Sequence, residues 1–97
     1  MIETHARRLA LTRSILTEVA TDLVSVDDIL GDEQRPIVAT ARRAVIVLMW
    51  RHGMSIDQIA LLIGRHRNTI IHALTAERLE NEHAERLARG PGEDDQS

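Results

Sequence analysis

The sequence predicts an all-α fold, a small helical bundle organised around a helix-turn-helix. Apolar residues recur at spacings of three and four along most of the 97 residues. Polar capping residues precede the apolar runs, and glycines follow them. Strand-favouring aromatics are scarce, with no Phe, no Tyr and a single Trp.

Leu9, Leu16, Val19, Ala20 and Leu23 lie at helical spacing and predict a long amphipathic helix over residues 2–24. Ser25 is placed to cap a short helix over residues 26–30, with Asp28 three positions on as the reciprocal acceptor, and Gly31 stops it. Residues 31–36 form a polar loop ending in Pro36, which suits a first helical turn. Ile37, Val38, Ala41, Ala44, Val45, Val47, Leu48 and Met49 mark a central helix to about His52, and Gly53 ends it. Ser55 and Gln58 have the spacing of a capping box for a helix over residues 56–63, broken by Gly64. A last helix is expected from about residue 66 to 87. Residues 1–88 are therefore read as one domain, and residues 89–97, rich in Gly and acids, as a disordered acidic tail.

The absence of cysteine excludes disulfides and thiolate metal sites. No apolar run approaches the roughly 20 residues that span a bilayer. Glu3, His5, Arg7 and Arg8 do not read as a signal peptide, so a cytoplasmic, nucleoid-associated protein without membrane contact is expected. His66 and His72 stand six apart and His52 stands alone, so no helical metal pair is predicted. No nucleophile–base–acid set and no phosphate-binding glycine loop occurs before a helix. The expectation is a non-enzyme with no cofactor and no small-molecule substrate.

The net charge of −3 conceals a division along the chain. Residues 1–34 hold three arginines and seven acids, residues 35–72 six arginines and one acid, and residues 73–97 three arginines and seven acids. All twelve cations are arginine. A basic middle between acidic ends predicts a DNA-binding face on an otherwise acidic domain.

Residues 56–75 carry the motif. Ala60 is a small residue for close helix packing, Gly64 turns the chain, and Ile70 anchors the second helix on the first. Ile59, Ile63, Ala73 and Leu74 fill the other inward positions. Arg67, Asn68 and His72 then fall on the outer side, together with His66, as candidates for reading bases, because Arg forks onto guanine and Asn onto adenine. Arg35, Arg42, Arg43, Arg65 and Thr69 are the candidates for phosphate. The apolar stripe of the first helix makes it the candidate surface for a homodimer.

Residues 15–79 resemble the C-terminal DNA-binding domain of the bacterial replication initiator DnaA. The likeness is carried by Val26-Asp27-Asp28-Ile29-Leu30, by the central helix from Val38 to Met49, by Ser55-Ile56-Asp57-Gln58-Ile59, and by Gly64-Arg65-His66-Arg67-Asn68-Thr69-Ile70-Ile71-His72-Ala73. It implies a Trp-repressor-like helical bundle, double-stranded DNA as partner, and backbone contact by Arg42. The family's Asp-His-Thr reading triplet is replaced by His66-Arg67-Asn68, and its basic loop by Asp32-Glu33-Gln34-Arg35, which implies a target other than the initiator's own box. The 97 residues hold no ATPase domain, so a stand-alone, phage- or prophage-like regulator of transcription or replication is the expectation. The alternative is an initiator-domain mimic that binds a replication protein in place of DNA.

Overall fold

A computed structural model describes residues 4–89 as five helices: α1 (His5–Val19), α2 (Val26–Leu30), α3 (Pro36–Arg51), α4 (Ile56–Ile63) and α5 (Arg67–Arg89). The described residues contain no strand, and none of their helices is long and apolar enough to cross a membrane. The tail beyond Arg89 and the start of the expected first helix lie outside the described residues. Arg89, assigned above to the tail, is the last residue of α5.

α3 packs against each of the other four helices, while α4 also packs along α5. Their shared interior is aliphatic. Val38, Val45, Ile46 and Met49 of α3 meet Ile15 and Leu16 of α1, Ile29 of α2, Ile59 and Ile63 of α4, and Ile70 of α5, with Val24 and Met54 from the connections. Ile70 is fully buried, which is worth about 1.5–3 kcal/mol relative to exposure. Ala60, Ala73 and Leu74 pack partly buried against this core. Thr12 is the one buried polar residue among those described, and its hydroxyl donates to the Arg8 carbonyl at 2.8 Å.

The caps follow the sequence pattern because they are local. The Ser25 hydroxyl accepts from the Asp28 N–H while the Asp28 carboxylate accepts from the Ser25 N–H. Ser55 and Gln58 do the same for α4. Each box satisfies two amides that the first helical turn leaves without intrahelical partners. Gly64 ends α4 in the left-handed region, at φ 70°, where a side chain would cost about 1–2 kcal/mol.

α1 is shorter than expected, stopping at Val19 rather than near Val24. Thr21 closes a local turn that competes with the helix. Its hydroxyl accepts from the Leu23 and Val24 amides, and its N–H donates to the Val24 carbonyl at 2.8 Å. The turn sends Val24 into the core and leaves Leu23 exposed. The apolar stripe of α1, expected as a dimer surface, packs instead within its own domain through Thr12, Ile15 and Leu16, and α1 exposes no large apolar side chain among its described residues.

Ile70→Ala is expected to lower stability by about 3 kcal/mol. Leu61→Ala, at a position 76% exposed, should change it by less than about 0.5 kcal/mol. Urea unfolding followed by circular dichroism checks both, and equal effects would refute the assignment of Ile70 as the anchor.

Candidate nucleic-acid interface

Three residues turn the chain from α4 into α5. Gly64 takes the left-handed conformation, and the Arg65 N–H closes the end of α4 by donating to the Ala60 carbonyl at 3.0 Å. His66 then caps α5: its Nδ1 accepts from the Asn68 N–H at 3.1 Å, and its carbonyl from the Thr69 N–H at 3.0 Å. The His66 ring, expected at base edges, is thus folded back onto the first turn of its own helix. With Ile70 buried, Arg67, Asn68, Thr69 and His72 are all exposed. Asn68 and His72 share one face, four residues apart. The Arg67 Nε lies 3.1 Å from the Asp57 carboxylate on the first turn of α4, so the leading cation of α5 already has an anionic partner.

A second group of arginines converges on residues 28–35. The half-buried Arg42 reaches back from α3 and donates to four carbonyls: Ile29 at 2.7 Å from Nε, and Asp28, Gly31 and Glu33 at 3.0, 3.1 and 3.2 Å from Nη2. These include the carbonyls that the end of a helix leaves without intrahelical donors. Arg65 also donates to the Gly31 carbonyl through Nη2, and its Nη1 lies 3.9 Å from Asp32. The Arg65 Nε is buried without a hydrogen-bond partner. Burial first, then the charge of Arg65, lower the Arg42 pKa, while Asp32 and Glu33 act in the opposite direction. Arg42 remains a cation at any ordinary pH. Its expected phosphate contact gives way to a structural one, because its fork is directed into the backbone of its own domain.

The other three arginines of residues 35–72 are also paired. Arg35 lies 3.5 Å from Asp28 and 3.4 Å from Glu33. Arg43 forks onto Glu80 of α5, at 3.1 Å from Nη1 and 3.3 Å from Nη2. Arg51 lies 3.5 Å from Glu77. Glu80 is about 20 Å along α5 from Arg67, so Arg43 is drawn away from the tip where the candidate reading residues gather. Loop and turn, by contrast, are joined by Arg65, which ties Gly31 and Asp32 to the α4–α5 turn.

Sequence reasoning identified the exposed residues of α5 but missed Asp57, Asp32 and the role of Arg42. Arg67 and Asp57 are ten residues apart, and Arg42 is thirteen from Ile29. Neither separation is a helical or hairpin spacing, so no local pattern marks it. The chain matches no family model, and no curated protein or solved structure matches it.

Arg42→Lys is expected to lower stability by about 2 kcal/mol or more, since an ammonium keeps the charge but cannot reach the same carbonyls, leaving buried acceptors unpaired. Chemical denaturation measures this. An unchanged midpoint would mean that the fork is not structural.

Proposed function

We propose that the chain binds double-stranded DNA with sequence preference, α4 and α5 acting as a helix-turn-helix in the control of transcription or replication. The observation that carries this reading is the first turn and a half of α5. There a buried Ile70 fixes the helix while Arg67, Asn68 and His72 stand exposed beside a three-residue turn. In a major groove the leading side chains of such a helix meet base edges. Arg67 then bonds guanine and Asn68 adenine, His72 follows one turn later, and His66 takes part as the cap that orients them. Thr69, Arg35 and the Arg65 side of the turn lie against phosphate. Arg42 holds the loop that presents them.

The resemblance to the initiator DNA-binding domain supports a duplex target. The substituted triplet His66-Arg67-Asn68 and the acidic loop point to a site other than the initiator box.

The ion pairing of Arg35, Arg43, Arg51, Arg65 and Arg67 favours a second reading, a mimic that engages a replication protein instead of DNA. Retention of a replication protein from nuclease-treated lysate, without duplex binding at low salt, would select it.

For DNA binding, selection from a random duplex pool is expected to enrich one motif. Arg67→Ala or Asn68→Ala should each reduce affinity for the selected site by about 5- to 150-fold, with little effect on unrelated duplexes. Arg35→Ala should weaken all sequences alike and flatten the salt dependence. Asp57→Asn should strengthen binding by about 2- to 5-fold, because it frees an exposed Arg67 and removes a negative charge from the DNA face. An unenriched pool, with Arg67→Ala silent, rejects the reading.

A further inference from the structure

The helices of this domain start on different chemistries. Thr4 caps α1, and Ser25 and Ser55 cap α2 and α4, each through a hydroxyl that accepts a backbone N–H. A hydroxyl keeps its lone pairs at any ordinary pH. α3 starts on Pro36 without a side-chain cap. α5 alone among the described helices starts on an imidazole. The His66 Nδ1 accepts from the Asn68 N–H at 3.1 Å. Only an unprotonated ring nitrogen can accept, because both nitrogens of the imidazolium are donors. Histidine is not among the side chains that ordinarily fill this position. The first turn of α5 holds no acid and begins with Arg67. Its positive end thus already carries a cation, and a second one on His66 is unfavourable.

We infer that His66 is a positioning residue that makes the tip of α5 sensitive to acid: the neutral ring holds the first turn, and protonation releases it. The ring is exposed, so a proton reaches it from solvent. The charged groups of the neighbouring elements are engaged with one another. Arg65 turns to the Gly31 carbonyl and to Asp32 of the loop, and Arg67 to Asp57, the one charged side chain of α4. The arginines of α3, also packed on α5, are held by loop carbonyls, by Glu80 and by Glu77. His52, after α3, and His72 of α5 are the other titratable rings on this side of the chain, and both are exposed. Among the described residues no carboxylate forms an ion pair with His66, so no partner compensates the lost bond when the ring is charged. The consequence for recognition rests on the DNA-binding reading; the cap itself does not. Asn68 gives its N–H to the cap and offers its side chain to adenine, so release of the cap loosens a residue that discriminates. The same proton adds a positive charge beside the phosphates, which strengthens binding to every sequence. Acid therefore narrows the gap between the selected site and unrelated duplexes from both sides.

Two measurements on the full chain test the inference. Hydrogen exchange of the Asn68 amide, read by NMR and corrected for the intrinsic effect of pH, should quicken about 2- to 10-fold from about pH 7.5 to 5.5, the range in which histidine charges. His66→Asn keeps a neutral acceptor at the cap and should hold the slow rate throughout. His66→Ala should show the fast rate at both ends of the range. In duplex binding, the ratio of affinities for the selected site and an unrelated duplex should fall about 2- to 10-fold over the same range for the wild-type chain. The ratio should stay level for His66→Asn and be low throughout for His66→Ala. His52 and His72 are present in every variant, so their titration is common to all. An Asn68 amide indifferent to pH, or a response that survives in His66→Asn, would overturn the inference. A responsive amide with a constant affinity ratio would overturn the positioning role. A duplex pool that enriches no motif rejects the DNA reading instead, and the exchange rates then decide the cap by themselves.

Discussion

The carbonyls at the end of α2 and in the loop after it must find donors, and Arg42 supplies them. A five-residue helix followed by an irregular loop presents more backbone acceptors than it can pair by itself. One guanidinium from α3 answers four of them. The same loop is tied to the α4–α5 turn through Arg65 and the Gly31 carbonyl. Gly31 suits this crowded position, because a Cβ there would stand 2.9 Å from the Asp27 carbonyl oxygen. Two arginines that share one acceptor thus connect α3, the loop and the turn that leads into α5.

Charge separated along the chain is not charge separated in space. The basic middle carries six of the twelve arginines, yet in the fold Glu77 and Glu80 return from the acidic C-terminal part to Arg51 and Arg43. Asp28, Asp32 and Glu33 approach from the other side onto Arg35 and Arg65. Most of these pairs are exposed, so each contributes little to stability and can be exchanged for a phosphate at little cost. Under the proposed DNA reading their larger effect is on selectivity: a duplex would have to displace carboxylates, which weakens non-specific binding before it weakens a fit that uses base contacts.

The helix starts, stops and caps were legible in the sequence, because a capping box is closed within four residues and a left-handed glycine is set by its own φ. Ser25 with Asp28, Ser55 with Gln58, Pro36 and Gly64 were each readable as they stand. The end of α1 was not, because Thr21 can serve equally in a helix or in a local turn, and burial of Val24 decides for the turn. At the candidate site, the exposure of Arg67, Asn68 and His72 followed from helical periodicity once Ile70 was taken as inward. Their partners did not follow, since ion pairs across helices leave no periodic trace.

By itself, then, the sequence determined the helical class, the order and most of the boundaries of the five elements, and which face of each helix is apolar. These rest on local hydrogen bonding and on the 3.6-residue repeat. Only the tertiary structure decided what the arginines do. A guanidinium at the end of a long side chain goes to whichever acceptor packing brings within reach, and packing sent Arg42 to backbone carbonyls, Arg43 to Glu80 and Arg67 to Asp57.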